Sequence, residues 1–201
     1  MKLLMSPPSP YARMIRIQLR ELDLLDQVTE QQITTNAYAS APEIIAANPL
    51  GKIPALVRDD GPTLYDSRVI ARFLDHHAKA NLYPASRLWD LLTLEATAIG
   101  IMDSAVSMSY ETRLRPAEEQ SAKWVDAQWE KVARAVNSLN TMWMSHLTGP
   151  LNAGQIATAS ALAYLDLRHD ARGWRTGNDD LAAWHATFSQ RASMTETVPE
   201  A

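Results

Sequence analysis

The chain has 201 residues and no cysteine. No thiol of its own can attack a substrate, ligate a metal or form a mixed disulfide. The absence does not fix a compartment, because a secreted protein of this size can also lack disulfides. Metal-ligand spacing is missing too. Five scattered histidines, with His76-His77 the only adjacent pair, match no metal site. No apolar run reaches the roughly 18 residues that a membrane span needs. Met1-Lys2-Leu3-Leu4-Met5, cut off by Ser6-Pro7-Pro8, is too short for a secretory leader. These absences predict a cytoplasmic protein with no membrane partner. Excess positive charge is also lacking: 19 basic and 23 acidic residues leave −4. With no basic stripe, a nucleic-acid partner is not expected.

What is present suits a folded protein with a sizeable core: 46% hydrophobic and 21% charged residues. Composition changes near residue 85. Eight of 11 prolines lie at or before Pro84, and all six tryptophans lie after it. Two differently built halves follow, a domain over 1–79 and another over 87–201, with Ala80 to Ser86 as linker. The first half reads as strand 2–5, a helix from Pro10, strand 27–34, helix 42–47, strand 55–58, an Asp-Gly turn, strand 63–65 and a helix from Ser67. A βαβ start implies a parallel pair, and the tight turn an antiparallel one. The fold class expected is an α/β domain followed by an all-α domain. The second half has a long helix over 87–113, another from Pro116 to about His146, and a helix start at Leu151-Asn152-Ala153-Gly154-Gln155-Ile156. Asn152 as N-cap and Gln155 three positions on form a reciprocal capping box, with Leu151 and Ile156 as its hydrophobic staple.

Three short segments hold the candidate chemistry. Ser9-Pro10-Tyr11-Ala12 opens the first helix directly after a strand. Serine before proline is by itself an ordinary helix start. It also lies at a strand's carboxyl edge, where ligands bind in α/β sheets, and at a helix N-terminus, which favours an anion. Its pattern looks like the Cys-Pro-Tyr-Cys motif of glutaredoxins with both sulfurs removed, able to hydrogen-bond a sulfur but not to exchange disulfides. Ile53-Pro54 either starts a strand or, if cis, turns the Ile53 backbone outward to pair with an extended peptide, with Lys52 near a terminal carboxylate. Asp66-Ser67 either caps the next helix or holds an amino-acid head group, Asp66 on the ammonium and Ser67 on the carboxylate. Together they describe one ligand with a carboxylate tail, a β-like middle, a thiol and an amino-acid head, which is glutathione.

On these residues the chain resembles the glutathione transferase family. The resemblance spans Ser9-Pro10-Tyr11-x-Arg13, the Asn48–Pro54 run, Leu64-Tyr65-Asp66-Ser67, Leu82-Tyr83-Pro84, the Asn152 start and Gly173-Trp174 with Leu181-Ala182-Ala183-Trp184. It is nearest to small bacterial, serine-type members. It implies a thioredoxin-like first domain, a helical second domain and usually a homodimer. It also implies that Ser9 stabilises the thiolate of glutathione as co-substrate, that Lys52, Ile53 and a cis Pro54 hold the peptide, and that Asp66 and Ser67 hold the γ-glutamyl end. No metal is implied. Asp66 stands where many members have Glu, and Gln155 where Asp is usual. Ser6 is a rival to Ser9, and Arg13 reads as a structural ion-pair partner.

The second substrate is expected to be a small hydrophobic electrophile in a pocket between the domains. Tyr11, Met102, Val106 and Tyr110 are its candidate residues, although the last three recur at a spacing that more often marks core. A glutathione-dependent isomerase or dehalogenase would share the thiol site. A non-catalytic binding or stress-response module would share only the fold.

Overall fold

Strand β1, Lys2–Met5, buries its last three residues and lies between β2, Thr29–Gln32, and β3, Ala55–Val57. It runs parallel to β2, with Met5 opposite Gln32, and antiparallel to β3, with Leu4 opposite Ala55. A central strand has no free edge, so Leu3-Leu4-Met5 is apolar on both faces. Helix α1, Pro10–Glu21, connects β1 to β2 as a crossover. Helix α2, Pro42–Ala47, precedes β3, and helix α3, Ser67–His77, follows it. Leu4, Ile33, Ile44 and Ala55 form one buried cluster. Buried Gln18 ties α1 to α3 by donating to the Ala71 carbonyl at 2.7 Å.

The computed structural model describes residues 1–199, in two units. Met1–Ala85 and the chain from Arg191 form one, and Ser86–Gln190 the other. The linker expected over 80–86 is largely bound to the first unit: Leu82 is buried and its N–H donates to Asp75 Oδ1 at 2.8 Å. The chain from Arg191, expected in the second domain, returns to α1. Arg13 donates to Thr197 Oγ1 and the Met194 carbonyl, and Arg16 to the Thr197 carbonyl. Glu21 accepts hydrogen bonds from Arg191 Nε and Nη2, each at 2.7 Å. A short helix α9, Ala192–Thr195, lies in this segment.

The second unit is helical: α4 Leu88–Leu114, α5 Ala122–Met142, α6 Met144–Leu147, α7 Ala153–His169 and α8 Asp179–Phe188. Helix α7 is buried without a break from Ala153 to Leu162, as a helix at the centre of a bundle must be. A Cβ on Gly154 would meet Leu94 Cδ2 at 2.7 Å, so glycine sets how closely α7 approaches α4. Among the described residues, the helix over Ala85–Leu114 is long and apolar enough to cross a membrane by length and composition. Half of its most apolar 18 residues are buried inside the protein, as in a core helix.

Several expected elements differ. The strand expected over 27–34 spans 29–32, and that over 55–58 ends at Val57. The strand over 63–65 reduces to one antiparallel bridge, Leu64 with Leu56; Pro62, just before it, has no N–H to extend the pairing. The helix expected from Pro116 begins at Ala122 instead. Side chains hold 115–121 as a turn: Gln120 donates to the Thr112 and Arg115 carbonyls, Glu111 accepts the Ser121 N–H at 2.8 Å, and Ser121 Oγ caps Trp124 N at 3.2 Å. The capping box is one-sided. Asn152 Oδ1 accepts the Gln155 N–H at 3.0 Å. The Gln155 amide does not reach back to Asn152. It donates into the preceding turn, to the carbonyls of Leu147 at 2.9 Å and Gly149 at 3.0 Å, because an amide NH2 is a donor where a carboxylate would only accept.

Candidate glutathione site

Strand pairing brings the three candidate segments to one end of the sheet. Ser9 follows the C-terminal end of β1. The β1–β3 register puts the start of β3, and so Ile53-Pro54, at that same end. The Leu56–Leu64 bridge is also antiparallel, so the chain from Leu64 runs back along β3 and delivers Asp66-Ser67 there too.

Ser9 is the N-cap of α1, with Pro10 in the first turn. Its Oγ accepts the Ala12 N–H at 3.3 Å, and its own N–H donates to the Ser6 carbonyl at 3.0 Å. Capping uses an oxygen lone pair and leaves the hydroxyl hydrogen able to donate. Tyr11 is partly buried one residue inside the helix.

The Ile53–Pro54 peptide is cis. Among the described residues, neither the N–H nor the C=O of Ile53 has a hydrogen-bond partner. The loop before it is fixed by buried Asn48, which donates to the Lys52 carbonyl at 2.8 Å and accepts the Leu50 N–H at 3.0 Å. Gly51 completes the turn at φ 63°, a conformation suited to glycine. Lys52 is exposed.

Asp66 is the N-cap of α3 and follows a second cis peptide, Tyr65–Asp66. Oδ1 accepts the Arg68 N–H at 3.0 Å and Oδ2 accepts the Arg68 guanidinium at 3.0 Å. Burial pushes the Asp66 carboxyl up, but the Arg68 hydrogen bonds and charge, with the Val69 N–H, outweigh it and hold the pKa below the ordinary value. Ser67, in the first turn of α3, is buried. The sequence reading missed Arg68 as the partner of Asp66 and Asn48 as the brace of the loop. Spacing of two residues from Asp66 to Arg68 was the available signal for the first.

The other candidates lie on α4. Met102 is fully buried, Val106 is partly buried and Tyr110 is 45% exposed, so Tyr110 presents the most surface of the three. Burial raises the pKa of the Tyr110 phenol, which stays protonated as a donor.

The family model for the glutathione S-transferase N-terminal domain matches residues 8–77, and that for the C-terminal domain matches 122–187. An uncharacterized GST-like protein of Escherichia coli (strain K12), YibF, is 32% identical over 207 residues, covering 99% of this chain and 98% of its own. A glutathione transferase family member from Pseudomonas fluorescens Pf-5, solved with bound glutathione, superposes with a TM-score of 0.97 at 40% identity, over 100% of this chain and 99% of that one. The same family member with bound S-(propanoic acid)-glutathione gives 0.92 at 40% identity, over the whole of both chains. A glutathione S-transferase from Methylobacillus flagellatus KT with glutathione bound gives 0.86 at 33% identity, over 99% of each chain. Sequence and fold thus agree over the full length with proteins of one kind, and the chain belongs to the glutathione S-transferase family.

Proposed function

We propose that the protein is a glutathione transferase in which Ser9 activates the thiol of bound glutathione for attack on a small electrophile. The observation that carries this reading is the state of the Ser9 hydroxyl: it caps α1 as an acceptor and keeps its hydrogen to donate. A free thiol has a pKa of about 8.5. One hydrogen bond to a thiolate contributes roughly 1.5–3 kcal/mol, which at about 1.36 kcal/mol per unit lowers the pKa by one to two units. The α1 dipole acts in the same direction. The rest of the catalysis is holding the thiolate against its target.

Ile53 offers an unpaired N–H and C=O to the peptide middle, Lys52 a cation to the glycine carboxylate, and Asp66 with Ser67 a carboxylate and helix-start donors to the γ-glutamyl head. Arg68 holds the Asp66 carboxylate ionised for the ammonium. Bound glutathione in relatives 33–40% identical supports the ligand, and the S-(propanoic acid) adduct supports room for a thioether product. The reading includes a homodimer, supported by the exposed α4 face of Trp89, Thr93, Ala96 and Gly100, small beyond the tryptophan.

The test is a pair of measurements on the purified protein. Millimolar glutathione should raise Tm, as a ligand of the native state must. The bound thiol, titrated by thiolate absorbance, should ionise one to two units below free glutathione. A chain that gains no stability from glutathione is not a transferase, and the non-catalytic module then holds.

A further inference from the structure

Ser9, Arg13, Arg16 and Arg20 follow one another at four, three and four residues, so they lie on one face of α1. Gln18, about two and a half turns beyond Ser9, lies on the opposite face, where its bond to the Ala71 carbonyl ties α1 to α3. The chain from Arg191 returns along the arginine face, and all of these groups belong to the first unit. The returning segment holds α1 at both ends. At the C-terminal end, Glu21 accepts from Arg191 and from Ser193 Oγ. Between the ends, Arg20 Nε donates to Glu196 at 3.1 Å and Arg16 Nη1 to the Thr197 carbonyl at 3.4 Å. At the Ser9 end, Arg13 Nε donates to Thr197 Oγ1 at 3.4 Å and Arg13 Nη2 to the Met194 carbonyl at 3.1 Å. Thr197 Oγ1 donates in turn to the Ser193 carbonyl at 2.7 Å.

Thr197 is fully buried and Arg13 is 7% exposed. A guanidinium that far from water is held in place by its hydrogen bonds. Arg13 also reaches Ser9 through the backbone, its N–H donating to the Ser9 carbonyl at 2.9 Å. The Ser9 side chain is tied to the same turn, because its Oγ accepts the Ala12 N–H. Where the first turn of α1 sits therefore sets where the Ser9 hydroxyl hydrogen is offered. Hydrogen bonds weaken steeply with angle, and a misplacement of about 1 Å can cost a hundredfold in rate.

The geometry points to Arg13 and Thr197 as positioning residues for Ser9: together they fix the first turn of α1 at the place from which the cap hydroxyl meets the bound sulfur. This inference rests on the transferase reading and adds to it two residues that act through Ser9. It also gives the return of the chain onto α1 a part in the chemistry as well as in stability.

The test follows the pKa of the bound glutathione thiol, by thiolate absorbance, and the rate of conjugation of a general electrophile across pH. Thr197→Val keeps the side-chain shape and removes the hydroxyl. It should raise the bound thiol pKa by about half a unit to one unit, so that the rate at pH 6.5 falls about three- to tenfold and the rates converge above the thiol pKa. Glutathione affinity at pH 5.5, where the thiol is protonated, should be unchanged. Thr197→Ser, which restores the hydroxyl, should restore the wild-type profile. Arg13→Lys keeps the cation but lacks the fork that reaches both acceptors. It should shift the pKa in the same direction, and it reads the inference even if Thr197→Val does not fold. Glu21→Gln cuts the far end of the same segment: Tm should fall while the thiol pKa stays in place. Superposable pH profiles for the wild type, Thr197→Val and Arg13→Lys, or an equal pKa shift in Glu21→Gln, overturn the inference and leave the transferase reading standing. A wild type that gains no Tm from glutathione and does not ionise its thiol below the free value overturns both.

Discussion

The Ser9 hydroxyl oxygen accepts the Ala12 N–H at 3.3 Å across the first turn of α1. One atom therefore holds the helix start and keeps a hydrogen, which in the proposed function is the one donated to the glutathione sulfur. The two roles use different parts of the hydroxyl, and substitutions separate them.

Ser9→Ala removes both. Loss of an N-cap costs about 1 kcal/mol, so Tm should fall. The bound thiol pKa should rise by about one to two units. Ser9→Asp keeps a capping acceptor and removes the donor at neutral pH. Its Tm should stay near the wild type while conjugation at pH 6.5 falls at least tenfold. Denaturation curves and pH–rate profiles of the two variants check this. If Ser9→Asp conjugates as fast as the wild type, Ser9 does not stabilise the thiolate.

Asp66→Asn tests the head-group carboxylate on the same logic. Asn caps as well as Asp, so α3 and the fold should be unaffected to within a few tenths of a kcal/mol. A hydrogen bond to a charged group is worth roughly 1.5–3 kcal/mol, so glutathione affinity should fall by about ten- to a hundredfold, read by calorimetric titration. Unchanged affinity would show that the short Asp66 side chain does not reach the ammonium.

Gln155 is 3% exposed and donates to the turn before α7. Gln155→Ala should destabilise by about 1–3 kcal/mol, from carbonyls left without a donor. Gln155→Glu should be worse at pH 7, since it sets a carboxylate against those carbonyls, and the gap should narrow as pH falls and the acid regains a hydrogen. Urea denaturation at pH 5 and pH 7 gives the ordering; a Glu variant as stable as the wild type at pH 7 contradicts it.

Acid should loosen the return of the chain onto α1. The Arg191 hydrogen bonds lower the Glu21 pKa, against burial and helped by Ser193 and the Arg191 charge. A group whose folded pKa lies below its unfolded value stabilises fully above the unfolded pKa and loses that contribution as pH falls through the folded one. Stability of the wild type should therefore drop as pH falls below the ordinary Glu range of about 4.3. Glu21→Gln should start lower at pH 7 and show a shallower decline, measured as Tm against pH. Parallel curves would mean the pair contributes no pH-dependent stability.

The order of the first-unit elements, the long α4 and the start of α7 were legible because each depends on local signals: apolar period, serine or asparagine before a helix, proline at its first turn. Strand ends were not, since where pairing stops depends on the partner strand, as the single Leu64 bridge shows. The start of α5 was misplaced because Pro116 is a local helix signal, while the turn over 115–121 is held by Glu111 and Gln120 reaching other segments.

The sequence by itself determined the absence of a protein thiol, the candidate groups for holding a borrowed one, and the two-part organisation, because these follow from residue type and short-range order. Only tertiary structure decided that Ser9, Ile53 and Asp66 share one end of the sheet, because that depends on strand direction and register across more than fifty residues. It also decided that Arg68 ties up Asp66, that the chain from Arg191 returns to α1, and that Ser9 is already a helix cap. A serine before a proline is a common helix start, and the paired strands that carry Ile53 and Asp66 to it make it the candidate centre of a site.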